Sequence, residues 1–111
     1  MSALIKPIQL TGTTGLVTIY QVPLNKKARI DLRACNIHGS QDGYADVYID
    51  DPDVPANSGY RARNFYIPFQ QVGSAPDLEY GLVLTENLKV QIRASGANTI
   101  AFSLTGVEDD E

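Results

Sequence analysis

The sequence predicts an all-β fold: an antiparallel β-sandwich or jelly roll of about seven to eight strands, with a flattened β-barrel as the alternative. Three observations carry this. Apolar and polar residues alternate over strand-length segments, and glycine, proline and asparagine punctuate those segments. No window shows the period of an amphipathic helix.

The first ten residues carry Leu4, Ile5, Ile8 and Leu10 with Lys6 as their one charge. They read as a flexible arm over about residues 1–12, able to pair at a sheet edge or to add a strand to a neighbour. Leu16 to Val22 is β-branched and aromatic, and Pro23 then withdraws a backbone donor, so PLNKK reads as a hairpin connection. In the next segment Ala28, Ile30, Leu32 and Ala34 share one face, and Arg29, Asp31 and Arg33 share the other.

After HGSQDG, the residues Ala45, Val47 and Ile49 face one way and Tyr44, Asp46, Tyr48 and Asp50 the other. Tyrosine has a large apolar body and a polar tip, so this second face suits a partner better than bulk water. Prolines and small polar residues then make 51–63 an exposed loop. Phe65, Ile67 and Phe69 fall on one face of the following segment, and Pro68 argues for a sheet edge there. YGLVL and LKVQIRA, joined by the short TEN turn, read as an adjacent hairpin pair. Ile100, Phe102 and Leu104 complete the core, and 108–111 reads as an acidic, fraying tail.

At 111 residues the chain reads as a single domain, 1–111, with one core. The net charge of −4 argues against a nucleic-acid surface, which needs a basic stripe. Cys35 is the sole cysteine, so an intrachain disulfide is excluded, and its neighbours Ala34 and Ile37 suggest a small buried hydrophobe. The start MSALIKPIQL lacks a long apolar stretch, so synthesis in the cytoplasm without a membrane span is expected.

No catalytic centre is expected. His38 with Ser40 and Asp42 sits inside one turn, where polar residues usually satisfy the turn itself. Asp46, Asp50 and Glu79 are carboxylates with no local feature that would converge them on a sugar. Asp50, Asp51 and Asp53 are the sharpest acidic constellation and the one weak candidate for calcium, but EF-hand spacing is missing and Pro52 restricts wrapping. No cofactor is otherwise expected. Tyr44, Tyr48, Tyr60, Arg61 and Arg63 are the candidate protein-interface residues, since tyrosine and arginine are the usual anchors of such surfaces.

The run containing Tyr20, Val22, Pro23, Lys26, Ala28, Arg29 and Asn36 resembles a pattern in small β-rich accessory proteins of tailed-bacteriophage particles. A second similar stretch comprises Leu82-Val83-Leu84, Leu88-Lys89-Val90-Gln91 and 103–108. In those proteins a glycine usually occupies the turn where this chain has Leu24-Asn25. The resemblance implies a non-enzymatic virion protein: a capsid decoration or cement protein that stabilises the assembled shell by repeated contacts. The alternative it implies is a tail, baseplate or fibre accessory module active in assembly or host-glycan binding. The implied partners are the major capsid protein or other virion subunits, and further copies of the chain, with a trimer suggested by particle symmetry.

Overall fold

The computed structural model describes residues 2–38, 40–68 and 78–110. Eight strands form: β1 (Ala3–Thr11), β2 (Val17–Gln21), β3 (Lys26–Asn36), β4 (Gly43–Asp50), β5 (Gly59–Ile67), β6 (Leu78–Leu84), β7 (Lys89–Ala94) and β8 (Ile100–Asp110). They make two four-stranded antiparallel sheets, β1-β8-β3-β6 (sheet A) and β2-β7-β4-β5 (sheet B). This order nests the pairs β1·β8, β2·β7, β3·β6 and β4·β5, which is the wrapping of a jelly roll. Neither sheet closes on itself, so the flattened barrel is excluded.

The inner faces are the ones alternation marks. Ala28, Ile30, Leu32 and Ala34 from β3, Ala45, Val47 and Ile49 from β4, Val90 and Ile92 from β7, and Phe102 and Leu104 from β8 are all buried. Burial of the valine, leucine, isoleucine and phenylalanine side chains among them contributes about 1.5–3 kcal/mol each, which is what holds the two layers together. A bulge in β2 between Thr18 and Tyr20 shifts the register, and Ile19 and Tyr20 are both buried there. Cys35 does not join the core. It follows Arg33 on the outer face of β3 and is half-buried. Phe65 lies opposite the buried Ala45 but stays exposed on the edge strand β5. Phe69, expected on the inner face, lies outside the described residues.

Two hairpins read from the sequence are sheet-to-sheet crossings instead. β2 and β3 lie in opposite sheets, and so do β6 and β7, the pair expected to be adjacent. The TEN turn carries the chain across the sandwich and is tied to the β2 end by Val22 N–H to Leu88 O at 3.0 Å and Asn87 N–H to Val22 O at 2.9 Å. In the crossing from β2 to β3, Asn25 takes φ 63°, the left-handed region for which glycine would otherwise be used. Among the described connections, the only sequential pair within one sheet is β4–β5, and the proline-rich excursion joins it.

The segments expected outside the sheets largely lie within them. The N-terminal arm forms β1, an edge strand paired to β8. Its unpaired side is blunted by a bulge around Lys6 and Pro7, where a missing donor and a charge discourage further strands. The acidic tail extends β8 to Asp110, where Lys26 and Lys27 of β3 lie opposite Asp110 and Asp109. Residues 59–63 of the expected loop belong to β5, which stops at Ile67 immediately before Pro68 at the edge of sheet B.

Candidate functional site

The outer face of sheet B gathers the tyrosines. In the register of β4 and β5, Tyr44 lies opposite Tyr66 and Tyr48 opposite Tyr60. Tyr44 and Tyr66 meet at 5.6 Å between ring centroids and 51° between planes. Tyr48 and Tyr60 meet at 5.0 Å and 73°, edge to face, the arrangement that the ring quadrupole favours. Asp46 lies between these two pairs, on the same face.

Asp46 is buried although it points outward, because its neighbours cover it. Its Oδ2 accepts from Nε of Arg93 at 2.7 Å and from Nη2 of the same guanidinium. Its Oδ1 accepts from the backbone N–H of Asn64 at 2.6 Å. That N–H is available because β5 bulges there: between the pairs Ala62–Val47 and Phe65–Ala45, the two residues Arg63 and Asn64 face Asp46 alone, and Asn64 takes φ 52°. The charge-assisted bond that it donates to Asp46 lifts the Arg93 guanidinium above its ordinary pKa, with Tyr60 adding a smaller pull the same way.

The bulged strand brings Arg63 over the Tyr60 ring at 4.8 Å, while Arg93 lies 6.0 Å from the same centroid. Arg61 is exposed, and its carbonyl accepts from Tyr80 Oη at 2.6 Å. The five expected interface residues thus all lie on β4 and β5, with Tyr48, Tyr60 and Arg63 in one cluster. Arg93, Asn64 and Tyr66 were not singled out in the sequence, and they complete it. One signal for the bulge was available. Ala62 and Ile67 are apolar residues five positions apart, an odd spacing that unbroken alternation cannot put on one face, and both are buried in the structure.

An open cleft of about 240 Å³ adjoins the tyrosines, lined by Thr14, Tyr44, Asp46, Asn64, Arg93 and Ser95. Among the described residues, the aromatic pairs lie on sheet B and none lies on the outer face of sheet A. Its exposed apolar residues Leu4 and Val83 stand on opposite edge strands, with Val107 and Arg29 between them in register.

The acidic constellation is taken up by its own loop and by the neighbouring turn at Asn87. Asp51 Oδ1 accepts from the N–H groups of Asp53 and Val54 at 3.1 and 3.0 Å, Asp53 accepts from Asn87 at 3.2 Å, and Ser58 Oγ donates to Asp50 at 3.5 Å. Among the described residues, no three acidic, histidine or cysteine side chains are grouped to hold a metal ion. His38 Nδ1 accepts from the N–H groups of Ser40 and Gln41, both at 3.1 Å, and so closes its turn. Asp46 and Glu79 do not converge, since Glu79 pairs with Arg33 on the opposite sheet at 2.9 Å.

Comparison of the chain with protein-family models, with curated proteins and with solved structures yields no match.

Proposed function

We propose that this chain is a non-enzymatic attachment module that docks onto a protein lattice through the outer face of sheet B. The observation that carries this is the tyrosine–arginine cluster of Tyr44, Tyr48, Tyr60, Tyr66 and Arg63, built around the ion pair of half-buried Arg93 with buried Asp46. Tyrosine gives large contact area with few rotatable bonds, and tyrosine and arginine are enriched among the residues that dominate the binding energy of protein interfaces. The setting we propose is a tailed-phage virion, with the chain synthesised in the host cytoplasm and added to the assembled shell as a decoration or cement protein. The support for that setting is the resemblance of the Tyr20–Asn36 run. Binding the closed shell better than free subunits would stabilise it by mass action, and repeated copies would add avidity.

The test mixes purified protein with empty heads and with tails of the phage from which the gene comes, followed by sedimentation and imaging. Saturable occupancy of fixed head positions is expected, and Tyr44→Ala should reduce it without altering the unfolding curve. Absence of head binding would overturn the decoration role. The open cleft beside Tyr44 favours a second reading, a tail module that holds a host glycan, for which binding to tails and a positive glycan array are the matching results.

A further inference from the structure

Two arginines lie on one tyrosine ring in sheet B, and their donors are in opposite states. Arg93 directs Nε and Nη2 at Asp46. Arg63 sits 4.8 Å from the Tyr60 centroid, and among the described residues no carboxylate forms an ion pair with it. Stacking uses the flat face of a guanidinium and leaves its edge, the fork of N–H donors, open to a ligand. The ring beneath is itself fixed, because Tyr48 packs edge-on against it at 5.0 Å. Arg63 is therefore held in one region before anything binds, which lowers the ordering cost of docking on it.

We propose that Arg63, stacked on Tyr60, anchors a carboxylate side chain from an acidic segment of the partner protein. This rests on the reading of sheet B as the docking face and specifies the partner's chemistry. A planar guanidinium edge matches a carboxylate in two parallel hydrogen bonds. The local charge agrees, although the whole chain carries −4. Arg61 and Arg63 follow each other with only Ala62 between, and of the β4 carboxylates on this face Asp46 is engaged by Arg93 and Asp50 accepts from Ser58 Oγ at the loop end of the strand. A free phosphate or a uronic acid would meet the same fork. Small ligands need enclosure, however, and neither Arg63 nor Tyr60 lines the cleft beside Tyr44. A ledge on an open sheet suits a protein segment that supplies its own surrounding surface.

The experiment titrates the isotopically labelled full chain with a hexaglutamate peptide and, separately, with inorganic phosphate and glucuronic acid. Saturable shifts are expected at the Arg63 Nε–H and the Tyr60 ring with the peptide. Arg63→Ala should weaken the peptide by about tenfold or more, and Arg63→Lys should also weaken it, since an ammonium lacks the fork. Arg33→Ala, on the opposite sheet, should leave it unchanged. Peptide affinity equal to wild type in Arg63→Ala would overturn the proposal, and so would phosphate or glucuronic acid binding as tightly as the peptide. Because the titration needs no phage heads, loss of head binding with an intact peptide response would sink the docking role alone.

Discussion

Asp46 and Arg93, 47 residues apart in sequence, form the ion pair around which the outer face of sheet B is organised. The carboxylate also holds the Asn64 N–H, so one buried side chain fixes both β7 and the bulge of β5. Asp46→Ala removes the acceptor of the Asn64 N–H and the partner of the Arg93 guanidinium together, with an expected loss of about 2 kcal/mol. Asp46→Asn keeps an acceptor for Asn64 and should lose less. Urea unfolding of both variants measures the difference. Equal stability of Asp46→Ala and wild type would show that the bulge does not depend on this carboxylate.

The inner faces could be read from the sequence because alternation is local: Ile30, Leu32, Val90 and Ile92 are set by their immediate neighbours. Strand pairing could not. A short turn such as Thr85-Glu86-Asn87 has the same chemistry whether the chain returns in its own sheet or crosses to the other one, and here it crosses. The site shows the same division. The tyrosine row of β4 was visible, but Arg93 reaches Asp46 only through the register of β4 with β7, which no local pattern encodes.

Gly106 in β8 lies between Ile5 of β1 and Ile30 of β3 in register. A Cβ there would stand 2.2 Å from the Arg29 carbonyl oxygen, which is backbone and cannot swing away. Gly106→Ala should therefore cost about 3 kcal/mol or more by forcing two paired strands apart. Gly15→Ala, with nothing within 4 Å, should change stability by about 0.5 kcal/mol at most. Thermal unfolding of the two variants side by side is the measurement, and similar melting points would contradict the close approach.

Acid should loosen the far end of sheet A. Asp110 is held down to about 2, first by the hydrogen bond from Lys26, and Asp109 is lowered by the Ser2 hydroxyl and then by Arg29. A depressed carboxylate contributes stability above its unfolded value, near 4, that is lost as pH falls toward its folded value. Asp110 is exposed and Asp109 only half-buried at the end of the sheet, so the effect should be local: faster amide exchange in β1 and the end of β8 between about pH 4 and 2. Lys26→Ala should flatten that pH dependence at Asp110, and an unchanged profile would remove the ion pair as its cause.

Alkali should act on the bond that crosses between the sheets. Tyr20 of β2 donates to Glu108 of β8 at 2.5 Å, and the Tyr20 hydroxyl is pushed well above its ordinary value, first by burial and then by the hydrogen bond to that carboxylate. With the folded value raised, this contribution is complete below the unfolded value, near 10, and falls as pH climbs above it, because the unfolded chain gives up the proton first. Stability should thus decline from about pH 10 upward. Tyr20→Phe, which has no proton to lose, should show a shallower decline. Some slope should remain, since Tyr66 is raised in the same direction by its bond to Asp42. Denaturant unfolding of wild type and Tyr20→Phe at a series of pH values decides the point, and identical slopes above pH 10 would show that the Tyr20–Glu108 bond does not couple the two sheets.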